Sequence, residues 1–95
     1  MGGFLPFYVY ILRSESNGRT YVGQTADLDR RVAQHNDPNC TLTKHTKNIP
    51  GPWRLIHSEQ YATRSEAMSR ERELKSGKGR EWIRNTLLSK EAGGC

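Results

Sequence analysis

Phe7-Tyr8-Val9-Tyr10-Ile11-Leu12 is a run of aromatic and aliphatic side chains that contains neither Gly nor Pro. A strand with one wet face would alternate apolar and polar residues. This run does not, so it reads as a strand buried on both faces and central in its sheet. The stretch from Arg13 to Arg19 is polar and carries Asn17-Gly18, a hairpin turn signal, after which Thr20-Tyr21-Val22 resumes strand character until Gly23. A third strand is expected at Trp53-Arg54-Leu55-Ile56-His57-Ser58, entered from Pro50-Gly51-Pro52, a segment that cannot be helical.

Three helices fill the remainder. Thr25 or Asp27 can cap the first, which carries Leu28 and Val32 one turn apart and runs to about Asn36, where Asp37-Pro38 stops it. Thr63-Arg64-Ser65-Glu66 has the form of a capping box and opens a helix over about 64–76, ended by Gly77. The last helix, about 80–89, places Trp82, Ile83, Thr86 and Leu87 on one side, and Glu91 to Cys95 is expected as a frayed tail. The order ββαβαα, without repeats or linkers, predicts one α+β domain over residues 1–95 with its core at about 7–88. Its sheet is three-stranded and mainly antiparallel.

The chain has 95 residues, with 15 Lys+Arg against 10 Asp+Glu and hence a formal charge of +5. That length suits a single domain. The longest uncharged stretch, Met1 to Leu12, falls far short of the ~20 apolar residues that span a bilayer, so a soluble, cytoplasmic protein is expected. Cys40 and Cys95 form neither a disulfide framework nor a paired zinc motif. The charge is unevenly placed. No acid stands between Asp37 and Glu59, where Lys44, His45, Lys47 and Arg54 fall, and the segment from Arg64 to Arg84 is again basic. Two basic zones on a small domain suit a polyanion, because phosphate contacts supply most non-specific affinity for nucleic acid.

Several polar residues conflict with helical periodicity. On the first helix His35 lies on the Leu28–Val32 stripe and Arg31 on its flank, and an inward-facing cation is costly unless it lines a cleft or meets a partner. On the second helix Ala67, Glu71 and Leu74 recur at i, i+4, i+7, so Glu71 should face the protein. Desolvating a lone carboxylate costs several kcal/mol, so Glu71 requires a cation: a metal, or a protein group such as Arg31 or Arg70. Tyr10 and Tyr21 share a face of the hairpin in any register whose paired numbers sum to an odd value. A tight Asn17-Gly18 turn would leave them roughly 13 Å apart, and a longer loop could bring them opposite each other.

Tyr8-Val9-Tyr10, Tyr21-Val22-Gly23, then Arg31, His35-Asn36, Pro52-Trp53 and the run from Glu66 to Lys75 with Glu71 at its centre resemble, in this order and spacing, the GIY-YIG nuclease superfamily. Its stand-alone, single-domain members look most similar. The first motif departs from Gly-Ile-Tyr but keeps the tyrosine. The resemblance implies a metal-dependent endonuclease that hydrolyses phosphodiester bonds with an activated water. Glu71 would hold one divalent cation, usually magnesium, and Arg31 the scissile phosphate. Tyr10 and Tyr21 would orient or deprotonate the water, and His35 would assist proton transfer or contact phosphate. Lys44, Lys47, Arg70 and Lys75 are the candidate substrate-binding cations. The expected substrate is DNA rather than RNA, branched, damaged or otherwise unlike regular duplex. Relatives with an appended DNA-binding domain draw selectivity from it; here substrate shape or a protein partner is expected to supply it, with the chain a monomer.

This chemistry is coherent, since a guanidinium fork matches charge growing on phosphoryl oxygens and a metal can polarise the phosphate. A phenol of ordinary pKa near 10 is a poor base at neutral pH and needs Arg31, His35 or the metal to favour phenolate. Two other readings stay open: a non-catalytic nucleic-acid-binding module of the same fold, and a zinc site built from His35, Cys40, His45 and His57.

Overall fold

The continuous apolar run does become the middle of the sheet. In the computed structural model, which describes residues 6–37 and 52–88, β1 (Phe7–Ser14) lies between β2 (Thr20–Thr25) and β3 (Trp53–Tyr61) in the order β2-β1-β3. Both pairings are antiparallel. Val9, Tyr10, Ile11 and Leu12 are fully buried, which is why neither face carries charge along this run. The expected 91–95 tail, together with Cys40, Lys44, His45 and Lys47, lies outside the described residues.

Each helix is set by its cap. Asp27, rather than Thr25, caps α1 (Leu28–Asn36): its carboxylate accepts from the Arg30 amide at 3.2 Å, while the Thr25 hydroxyl oxygen accepts from the Asp27 amide. The capping box at Thr63 and Glu66 opens α2 (Arg64–Lys75) as its spacing predicts. Gly77 does not end α2 by itself. Ser76 is both the C-cap of α2 and the N-cap of α3 (Gly77–Ile83), so Gly77 begins the next helix, which continues as a π-helical turn over Arg84–Leu88. The third helix therefore starts before the expected residue 80, because one serine serves two ends.

The two sheet faces carry different loads. Val9, Ile11 and Val22 pack on Ala67 and Leu74 of α2 and on Ile83 of α3. Tyr10, Leu12 and Trp53 pack with Tyr21 and with Leu28 and Val32 of α1. Trp53 reaches that second face through an irregularity in β3. Ile11 faces His57 but Leu12 faces Leu55, so Ile56 is an extra residue. Such a slip moves the rest of a strand to the opposite face, and without it Trp53 would point at α2. The outer edge of β3 is closed by Asn36. Its Nδ2 donates to the Trp53 carbonyl at 2.9 Å and its Oδ1 accepts from the Trp53 amide at 2.7 Å, tying the end of α1 to the sheet.

A polar cluster fastens β3 to the helices behind it. The Glu59 carboxylate accepts from Arg70 through Nε at 2.8 Å and Nη2 at 3.0 Å, and it also meets the Tyr61 hydroxyl and His57 Nε2. Arg70 further donates to Glu73 at 2.8 Å and stacks over Trp82. Arg70, expected from the sequence among the substrate-binding cations, thus has its guanidinium engaged by two carboxylates. Burial alone would raise the Glu59 pKa, but donation from Arg70, Tyr61 and His57 outweighs it and lowers the value to about 2, from an ordinary 4.5. A depressed carboxylate contributes stability that is fully present above the unfolded-state value and is lost as pH falls through the folded one. Urea unfolding should thus show a contribution on the order of 2–3 kcal/mol at pH 6 that disappears between about pH 4.5 and 2. Glu59→Gln should be less stable at pH 6 and should lack that part of the acid slope.

Candidate active site

Hairpin register decides how the two tyrosines meet. The loop spans Glu15 to Gly18, closed by Ser14 N donating to Arg19 O at 2.8 Å and Gly18 N donating to Ser14 O at 2.9 Å, with Gly18 at φ +75°. A two-residue Asn17-Gly18 turn is not formed. Tyr10 consequently faces Gly23 and Tyr21 faces Leu12, so both tyrosines share one face as diagonal neighbours, with ring centroids 6.2 Å apart.

α1 lays Arg31 and His35 across the same face. His35 is buried, and its Nε2 lies 2.9 Å from the Tyr10 hydroxyl. Its ring centroid is 5.7 Å from that of Tyr10 and 4.9 Å from that of Tyr21. Arg31 donates from Nε to the Tyr10 oxygen at 3.4 Å and from Nη1 to Gln34 Oε1 at 3.2 Å. Because a guanidinium only donates, the Tyr10 oxygen accepts there, and the same hydroxyl shares a hydrogen bond with His35 Nε2 whose direction is set by the imidazole tautomer. The result is a chain from Arg31 through Tyr10 to His35.

Burial distinguishes the two phenols. Tyr10 is fully covered, whereas Tyr21 is part-exposed. Burial pushes the Tyr10 hydroxyl up to about 12 despite the hydrogen bond from Arg31, so at neutral pH it is a neutral link between Arg31 and His35. Arg31 acts on Tyr10 in the direction that favours phenolate, but desolvation is the larger influence.

Gly23 is a participant to which the sequence reading assigned no role. A Cβ at this position would lie 2.6 Å from the Tyr10 hydroxyl oxygen and 2.7 Å from its Cζ, with Tyr21 at 3.0 Å. Register supplies the signal, since Gly23 stands directly opposite Tyr10. Gly23→Ala should displace the Tyr10 phenol from His35 and destabilise the fold by about 1–3 kcal/mol, an overpacking cost. In a nuclease assay it should lower the rate about 10- to 100-fold, as misplacement of site groups does; urea titration and single-turnover kinetics check the two effects.

Glu71 arrives from α2. Ala67 and Leu74 on either side are buried and the Glu71 side chain is 22% exposed, so it stands on the inward edge of the helix as its spacing predicts. The cation on it is neither of the two arginines weighed from sequence but Lys75, whose Nζ is 2.7 Å from Oε2. Lys75 also sits 5.9 Å above the Tyr21 ring, joining α2 to the hairpin, and the Glu71 charge is near enough to act on Tyr10. Glu71 and Lys75 line a cleft of about 240 Å³ with Met68 and Arg72. A part-exposed carboxylate in such a cleft fits a hard divalent ion that keeps most of its shell as water and substrate oxygen.

Tyr10, Tyr21, Arg31 and His35 thus meet in one cluster, with Glu71 and Lys75 beside it, while Arg70 is held in the Glu59 cluster and Lys44 and Lys47 are outside the described residues. Of the residues in the zinc reading, His35 is bound to Tyr10, His57 is 2.8 Å from Glu59 and edge-on to Trp82, and Cys40 and His45 lie outside the described residues. Among the described residues no three His, Cys, Asp or Glu side chains group to hold a metal. No helix among them is long and apolar enough to cross a membrane.

The model of the GIY-YIG catalytic domain matches residues 6–85. A UPF0213 protein of Haloquadratum walsbyi is 44% identical over 69 residues, covering 73% of this chain and 73% of its own. A UPF0213 protein of Staphylococcus saprophyticus is 38% identical over 69 residues, covering 73% of this chain and 79% of its own. The solution NMR structure of a UPF0213 protein from Bacillus halodurans has 34% identity and a TM-score of 0.49, covering 82% of this chain and 81% of that one.

Proposed function

The chain belongs to the GIY-YIG family, and on that premise we propose that it is a metal-assisted endonuclease, hydrolysing phosphodiester bonds in DNA that is branched, damaged or otherwise unlike regular duplex. The observation that supports this most is the convergence of Tyr21, Arg31 and the Tyr10–His35 pair on one sheet face, with the Glu71 carboxylate beside them.

The roles follow from reach and burial. Arg31, oriented by Tyr10 and Gln34, presents its fork to the scissile phosphate and stabilises charge growing on the phosphoryl oxygens. Tyr21, the part-exposed phenol, orients the attacking water. Tyr10 and His35 are positioning residues, since their mutual hydrogen bond fixes Arg31 from below and the Tyr21 ring from the side. Glu71 would hold a divalent ion, magnesium by preference, which supplies an acidified water and a counter-charge for the leaving oxygen. Selectivity comes from substrate shape or a protein partner, as phosphate contacts position without reading sequence.

A second reading, a binding module of the same fold, is favoured by the Lys75 ammonium lying on Glu71. A labelled DNA fork incubated with the purified chain separates the two. Internal cuts with magnesium and none in EDTA support the nuclease; salt-sensitive binding without any cut supports the binding module.

A further inference from the structure

The Glu71–Lys75 pair has a property that its use as a mere helix stabiliser leaves unexplained. An exposed pair at i, i+4 is held weakly, and Lys75 is half-exposed, so its ammonium can leave the carboxylate. It nevertheless occupies the side chain that a divalent ion would need. Lys75 also forms a wall shared by two clefts. One, described above, contains Glu71; the other, of about 250 Å³, is lined by Tyr21, Leu74, Lys75 and Arg80 among others. The second cleft has no carboxylate in its lining, and Arg80 makes no side-chain hydrogen bond or ion pair with a described residue. Released from Glu71, Lys75 would add a second cation to a cleft that already holds one.

We infer that Lys75 is an exchangeable counter-ion that couples metal binding to phosphate binding: a divalent ion at Glu71 displaces the ammonium, which then joins Arg80 in holding the phosphate that adjoins the scissile one. This rests on the nuclease reading for the identity of its ligands. Two cations on one carboxylate repel, so Lys75 lowers metal affinity when no phosphate is present. By linkage, metal raises affinity for the polyanion through the same residue, and the polyanion raises affinity for metal equally.

The test measures binding without turnover. Mn2+ affinity, read by electron paramagnetic resonance in the absence of DNA, should tighten about five- to tenfold in Lys75→Met, the removal of one repelled charge. Lys75→Arg should restore the wild-type value. Affinity for a labelled DNA fork should rise on adding Ca2+ in the wild type, and that rise should shrink at least threefold in Lys75→Met, whose fold is checked by circular dichroism. Unchanged or weaker Mn2+ binding in Lys75→Met, or a Ca2+ effect equal to that of the wild type, overturns the coupling. Protein that shows the Mn2+ and Ca2+ effects yet cuts no DNA would keep the coupling and remove the nuclease reading instead.

Discussion

Glu71→Gln is expected to lower magnesium-dependent cleavage at least about 10³-fold while leaving the fold intact, a loss of roughly 4 kcal/mol in transition-state stabilisation. Glutamine keeps the length of the side chain and an oxygen that can still accept from Lys75, so the α2 surface and its packing through Ala67 and Leu74 should persist. What disappears is the negative charge, and a neutral amide is a poor ligand for a hard divalent ion. Single-turnover kinetics at saturating enzyme, with urea unfolding of the same sample, distinguish lost chemistry from lost folding. The melting behaviour should move little, because an exposed i, i+4 pair contributes only about 0.3–0.5 kcal/mol.

Arg31→Ala should cost about 10²- to 10³-fold in rate, and Arg31→Lys should recover little of it. Nε of Arg31 is committed to the Tyr10 oxygen and Nη1 to Gln34, so the guanidinium plane is fixed before substrate arrives. A lysine ammonium has no such plane and cannot be both anchored from below and directed at a phosphate. Tyr10 retains His35 as a partner in either variant, so in Arg31→Ala stability should fall by only about 1–3 kcal/mol, the worth of the two hydrogen bonds lost to Tyr10 and Gln34. If Arg31→Lys were as active as the wild type, the pre-oriented fork would have no part in the reaction.

The features legible in the chain were those set locally. An unbroken apolar strand announces a central position because both of its faces are covered, and Thr63 with Glu66 announces a helix start because two amides need those side chains. The alternation of Ala67, Glu71 and Leu74 likewise placed a carboxylate on an inward edge. Features that depend on tertiary competition were hidden. Asn17-Gly18 suits a two-residue turn and also the end of the four-residue loop that forms, and only the latter brings Tyr21 diagonally beside Tyr10. The two tyrosines look alike in sequence, yet Gly23 and His35 close over one and leave the other partly open. Which cation met Glu71 turned on a residue in a different element: Glu59 of β3 captures Arg70, and Lys75 is the neighbour one turn on. The irregularity at Ile56, which turns Trp53 onto the site face, has no local signature at all.

Fluorescently labelled duplex, single strand, flap, fork and junction DNA, each incubated with the wild-type chain and magnesium beside a Glu71→Gln control, addresses the proposal that this site cuts DNA. Internal, magnesium-dependent cuts in at least one branched substrate, absent in EDTA and in Glu71→Gln, are the predicted result. A folded wild-type protein that cuts none of the five, or a Glu71→Gln variant that cuts as fast as the wild type, would contradict it.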